Sequence, residues 1–162
     1  MGTVSNSISG NAPRAYAVIL CAGLLAGALD ITSAFATSGF HVVRILQAIA
    51  SGLLGAQSFR GGTATAVLGL VLHFIIAIVA AALYYLASRK LRALVEQPFR
   101  WGSLYGVAVW LFMNLIVLPL SAIPFKTSFP LDRVALGLLI HILLIGLPIA
   151  LVVRHFSMEE AR

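Results

Sequence analysis

The 162-residue chain has one cysteine, five acidic side chains and only 10% charged residues. A lone cysteine excludes an internal disulfide framework, a Cys-x-x-Cys redox pair and a thiolate zinc site. Cys21 lies inside an apolar stretch and reads as a packing residue. So few acids leave no paired catalytic carboxylates, and the P-loop, nucleophile-elbow and His-Glu-x-x-His patterns are missing too. No enzyme activity is expected. Glu159 and Glu160 stand in a polar C-terminal tail, solvated. The formal net charge is +6, yet the basic residues scatter to the ends of apolar segments, the placement that membrane topology predicts. Nucleic acid is therefore not an expected partner; the lipid bilayer is.

What remains is hydrophobic: 60% of residues, with a mean hydropathy of +1.02. Segments 15–37, 63–88, 101–123 and 133–153 each supply about twenty mainly apolar residues, enough to cross a ~30 Å hydrocarbon core. They predict an all-α integral membrane protein, a four-helix bundle forming one domain over 15–153. A disordered polar tail is expected over 1–14 and a cytoplasmic tail over 154–162. Arg14, the apolar run behind it and Ala34-Phe35-Ala36 imitate a secretory signal with its cleavage site. Asp30 inside that run, and three further spans after it, favour a retained helix.

Segment 40–59 has another pattern. His41, Arg44, Gln47, Ser51 and Ser58 recur at helical spacing, while Val42, Val43, Ile45, Leu46, Ile49, Leu53 and Leu54 occupy much of the rest. This predicts an amphipathic helix between the first and second spans, lying in the interface or closing one end of the bundle. Gly52-Leu53-Leu54-Gly55 would also permit a re-entrant turn. A fifth crossing is less favoured, since only about fifteen residues, 45–59, are free of charge.

Arg89, Lys90, Arg92 and Arg100 cluster after the second span, Arg154 and Arg162 follow the last, and Arg14 precedes the first. The positive-inside tendency puts these seven of the eleven basic residues, and both termini, in the cytoplasm. A five-span chain with its N-terminus outside keeps the same split by exchanging Arg14 for Arg44, so length and not charge favours four. Tyr16, Tyr84, Tyr85, Trp101 and Tyr105 fall near the cytoplasmic interface, where amphipathic rings settle.

Each span carries one polar side chain near a common depth: Asp30, His73, Asn114 and His141. From the middle of each span, at ~1.5 Å per residue, the last three fall roughly 3–4 Å toward the outside and Asp30 roughly 7 Å. Polar groups in hydrocarbon are costly and turn toward a bundle interior or a cavity, so one shared polar layer is expected. Small residues mark the faces that carry it: Gly23, Gly27 and Asp30 align on the first span, and Gly69, His73, Ala77 and Ala81 on the second. Gly106, Trp110 and Asn114 align on the third, and Gly137 and His141 on the fourth. Leu68-Gly69-Leu70-Val71-Leu72-His73 resembles Leu136-Gly137-Leu138-Leu139-Ile140-His141, and Gly23/Gly27 matches Gly102/Gly106. The pattern is that of a parallel repeat of two helical hairpins.

Several chemistries fit such a layer. A structural reading has the rings and the amide bond across helices, each contributing about 0.6 kcal/mol. A carboxyl at this depth is either protonated or paired, with Arg44 or a histidine as partner. A small proton-coupled transport module would use Asp30 and a histidine beneath a lid that includes Arg44 and Gln47, with Pro119, Gly146 and Pro148 loosening the helices. A chain this short would then work as a homo-oligomer. An accessory subunit of a larger membrane complex is the alternative. A b-type cytochrome would ligate haem through His73 and His141, with Gly69 and Gly137 making room for the porphyrin. Asp30, His73 and His141 have ligand types suited to zinc or iron, but no spaced motif joins them and no metal is expected.

Ile49-Ala50-Ser51-Gly52-Leu53-Leu54-Gly55, Leu72-His73-Phe74, Met113-Asn114, Leu118-Pro119-Leu120-Ser121 and Gly146-Leu147-Pro148 resemble an uncharacterised group of small bacterial multi-pass inner-membrane proteins. The resemblance covers about 15–153. It implies a bacterial inner-membrane location and carries no activity.

Overall fold

The computed structural model describes residues 11–124 and 130–160, with side chains described over 13–124 and 130–158. Among these residues the protein is all-helical, without strands. Helix α1 spans Asn11–Thr37, and α2 spans Val42–Leu54 with a 3₁₀ extension over Gly55–Arg60. Helix α3 runs over Gly62–Ser88, and α4 is a single turn over Ala93–Glu96. Helix α5, Pro98–Leu120, contains a π-helical stretch at Met113–Val117. Helix α6 joins Leu131–Ile140, a π-helical stretch His141–Gly146 and Leu147–Glu160. Among the described residues five helices are long and apolar enough to cross a membrane, the α2 unit Val42–Arg60 among them.

Several boundaries differ from the sequence reading. The first helix already includes 11–14, and the last continues through 154–160, where polar tails were expected; residues 1–10, 161 and 162 lie outside the described ones. Pro98, whose fixed φ suits a first helical turn, opens α5 three residues before the predicted start. Between α1 and α2 the chain reverses in four residues. Gly39 and Phe40 both take the left-handed conformation there, at φ 68° and 60°. The Phe40 amide donates to the Phe35 carbonyl at 2.8 Å, closing the end of α1.

Helices α1 and α3 run antiparallel, as do α5 and α6, and small residues set their registers. A Cβ built at Gly23 would lie 2.6 Å from Ile78 Cα, and one at Gly27 3.1 Å from Ala77 Cβ, so α1 rests directly on α3. Gly102 meets Ala150, and Gly106 meets Ile142 with 2.7 Å between a built Cβ and that Cα, so α5 rests equally closely on α6. Arg14 donates to the Phe156 carbonyl at 3.4 Å, fixing α1 against α6. The tightest core follows from these contacts: Val18, Ala22, Ala26, Ala81, Tyr84, Ile149, Ala150 and Val153 are almost wholly enclosed. In lipid there is no hydrophobic gain from helix association, so close backbone approach and dispersion between such small residues hold the helices together. Cys21, expected to pack, is exposed on the outer face of α1.

One end of the bundle carries α4. Tyr84 donates to the Leu94 carbonyl at 3.0 Å and Arg154 to the Glu96 carbonyl at 3.0 Å, which tie the 89–97 connection to α3 and α6. The opposite end carries α2. Its Leu46 carbonyl sits against Gly69, Gln47 donates to the Gly62 carbonyl at 3.1 Å, and the Ala122 amide donates to the Gly52 carbonyl at 2.9 Å. Helix α2 thus bridges the start of α3 and the chain leaving α5. Among the described residues α3 and α5 approach closely at few points, one of them the Tyr105 hydroxyl donating to the Ala80 carbonyl at 2.6 Å, and an apolar cleft separates them elsewhere.

Candidate functional site

Three of the four polar residues line one cavity of about 120 Å³: Asp30 from α1, His73 from α3 and His141 from α6. The helix registers produce this convergence. Sixteen residues on from Arg14, Asp30 comes level with His141, fifteen residues back from the Phe156 that Arg14 touches. His73 reaches across the glycine contact of α1 with α3, its Nε2 2.9 Å from the Gly27 carbonyl. The rest of the lining is apolar, including Ile49 from α2 and Met113 from α5.

Asn114 does not line this space. Its Nδ2 donates to the Trp110 carbonyl at 2.9 Å, four residues back in its own helix. Arg44 is exposed, with its guanidinium 5.0 Å from the centre of the Phe59 ring. Gln47 is buried but spends its amide on Gly62. The α2 side chain that reaches the cavity is Ile49, which lies on the apolar face and gave no polar signal.

The chemistry of the cavity follows from its hydrogen bonds. His141 Nδ1 lies 2.9 Å from the Gly137 carbonyl. A carbonyl only accepts, so this nitrogen and His73 Nε2 each carry a proton; in the neutral form of either ring the other nitrogen keeps a lone pair. Asp30 and His141 line the same small space. The Asp30 carboxylate makes no hydrogen bond or ion pair with the described residues. The three side chains surround a space rather than a point: among the described residues no three His, Cys, Asp or Glu side chains are close enough to ligate a metal.

Haem does not fit this packing. Gly69 is filled by the Leu46 carbonyl, and a Cβ built on Gly137 would lie 2.5 Å from the indole nitrogen of Trp110. Both glycines serve helix contact, and the cavity between the histidines is far below the several hundred Å³ typical of pockets for larger organic ligands.

Two of the polar residues stand in π-helical stretches, Asn114 in Met113–Val117 and His141 in His141–Gly146. Each stretch is followed by a proline, Pro119 or Pro148. A proline inside a helix cannot donate to the carbonyl four residues back and crowds it, here at Leu115 and Leu144. The preceding turn widens in response. Such wide turns concentrate at functional sites, and the prolines were the signal for them.

The chain matches no family model, no curated protein and no solved structure. The chemistry of the cavity therefore carries the functional reading.

Proposed function

We propose that this protein is a small proton-coupled transport module of the bacterial inner membrane, in which Asp30, His73 and His141 take up and release protons from one intramembrane cavity. The convergence of a carboxyl group, bonded to no described residue, with two imidazoles from two other helices carries this reading. Each imidazole has one nitrogen held by a backbone carbonyl and one left to exchange a proton, the arrangement a proton relay needs. Ionisable groups inside a membrane domain mark ion and proton pathways by default, because their cost there needs a compensating use.

In this proposal four helices span the bilayer, and α2 stays on one side. Helices α1 and α3 are antiparallel with Gly23 against Ile78 and Gly27 against Phe74, so α1 ends and α3 begins at the same end of the bundle. A segment joining those two points begins and ends on one face of the membrane. Arg14, Arg89, Lys90, Arg92, Arg100 and Arg154 gather at the α4 end, which makes that end cytoplasmic by the positive-inside tendency. The cavity then lies in the outer half, with α2 over it.

Proton flux into liposomes tests the reading. Wild-type protein should carry protons, and Asp30→Asn should slow the flux at least tenfold between about pH 5 and pH 8, where imidazoles titrate. Equal flux for the two proteins across that range would remove the proposal.

A further inference from the structure

We infer that the cavity binds a protonated primary amine carrying an aliphatic chain, with the ammonium at Asp30 and the chain in the cleft between α3 and α5. The inference rests on the proton-coupled reading and names what is exchanged against the proton. Its first support is the kind of polar atom the cavity offers. Both imidazoles donate their single N–H to a backbone carbonyl, and Asp30 as a carboxylate can only accept. With Asp30 ionised and both rings neutral, the three side chains together hold one negative charge and two nitrogen lone pairs, and no donor is left over. An –NH₃⁺ group is the complement: three N–H donors and one positive charge on a compact head. A carboxylate or phosphate head would bring a like charge and more acceptors, and a hydroxyl brings one donor and no charge.

The second support is the space that leads from the cavity. An apolar cleft of about 440 Å³ runs between α3 and α5, walled by side chains such as Ile75, Val79 and Phe112. A second apolar space of about 450 Å³ continues it beneath α2 toward Ser121. Ile76 and Met113 belong to the walls of both and of the polar cavity. The cleft lies on the side where α3 and α5 stand apart, and half or more of the Ile75, Val79 and Phe112 side-chain surface is exposed there. An amphiphile can thus enter sideways from the acyl region with its chain on apolar walls and its head at Asp30. Protonation of either imidazole turns its remaining acceptor into a donor, so amine and proton compete for one set of atoms. Competition of that kind is what exchange across the membrane requires.

Full-length protein in nanodiscs of neutral lipid, titrated calorimetrically with hexylamine, hexanol, hexanoate and ammonium chloride, decides the matter. Hexylamine should bind saturably and more tightly than ammonium, while hexanol and hexanoate should show no saturable binding. Asp30→Asn should weaken hexylamine roughly thirtyfold or more, the loss expected on removing one partner of a buried charge pair. Val79→Trp, at a wall of the cleft that the polar cavity does not share, should abolish the advantage of hexylamine over ammonium and leave ammonium binding intact. This second variant keeps the test decisive where Asp30→Asn does not fold. Hexanol or hexanoate binding as well as hexylamine, or unchanged hexylamine binding by the folded Asp30 variant, overturns the inference. Proton flux that depends on Asp30 without any amine binding overturns the amine alone and leaves the proton reading standing.

Discussion

His73 Nε2 meets the Gly27 carbonyl 2.9 Å away across the contact of α1 with α3, at the point where a glycine lets the two backbones approach. The same glycine that permits the approach supplies the acceptor. Replacing His73 by Phe keeps ring volume and removes the donor. The expected cost is about 0.6 kcal/mol and under about 2 kcal/mol, the range for single hydrogen bonds between membrane helices. Unfolding in mixed micelles measures it, and a loss well above that range would show that the ring does more than join the helices.

Gly146→Ala should be far worse than Gly52→Ala. A Cβ at Gly146 would lie 2.6 Å from the Gly106 amide nitrogen, and backbone cannot step aside as a flexible side chain can. A Cβ at Gly52 would meet nothing closer than Ser121 Cβ at 3.7 Å. Overpacking of the first kind costs about 1–3 kcal/mol, whereas the second should change stability by less than about 0.5 kcal/mol. Equal melting temperatures for the two variants would contradict the close approach of α5 to α6.

Gly137→Ala forces its new methyl group into the Trp110 indole, which is itself buried. Trp110→Phe removes the indole nitrogen nearest that methyl group. The double variant should therefore be more stable than the sum of the two single losses predicts, by about 0.5 kcal/mol or more, as for residues in direct contact. Strict additivity in denaturant titrations would refute the contact.

Tyr84→Phe deletes the hydroxyl that holds the Leu94 carbonyl at 3.0 Å and leaves the ring in place. A net loss of about 1 kcal/mol is expected. Limited proteolysis should register it locally, with faster cleavage in the 89–97 connection than in wild type.

Ser38 and Thr63 flank α2, and both are exposed. In a Cys21→Ala background, cysteines introduced at the two positions should react with an impermeant maleimide from the same face of intact cells. A cysteine at Lys90 should react only from the opposite face. Labelling of positions 38 and 63 from opposite faces would make α2 a crossing helix and overturn the four-span proposal.

Much of the helical layout was legible because long apolar runs in lipid have few alternatives: every backbone group must bond within its own segment. Convergence of Asp30, His73 and His141 was also legible, through the small residues that shared their faces. Asn114 was misplaced for a local reason. An amide side chain can satisfy itself on the carbonyl four residues back, and depth along a helix says nothing about that competition. The α2 residues failed similarly: Gln47 and Arg44 looked like the polar contribution to a lid, but Gln47 ties down Gly62 and Arg44 covers Phe59, while Ile49 reaches inward. The role of Gly69 and Gly137 as seats for a carbonyl and an indole was invisible, because a glycine in sequence names no neighbour.

The wide turn His141–Gly146 accommodates one residue more than regular winding would, just before Pro148. Each residue of an α-helix advances the azimuth by about 100°. Deleting one residue between 142 and 145 would restore even winding and swing everything N-terminal to the deletion by that angle, aiming His141 away from Asp30. The bearing of this imidazole is thus fixed by a residue count measured back from a proline, and a shortened segment of identical chemistry would leave the carboxylate facing it no longer.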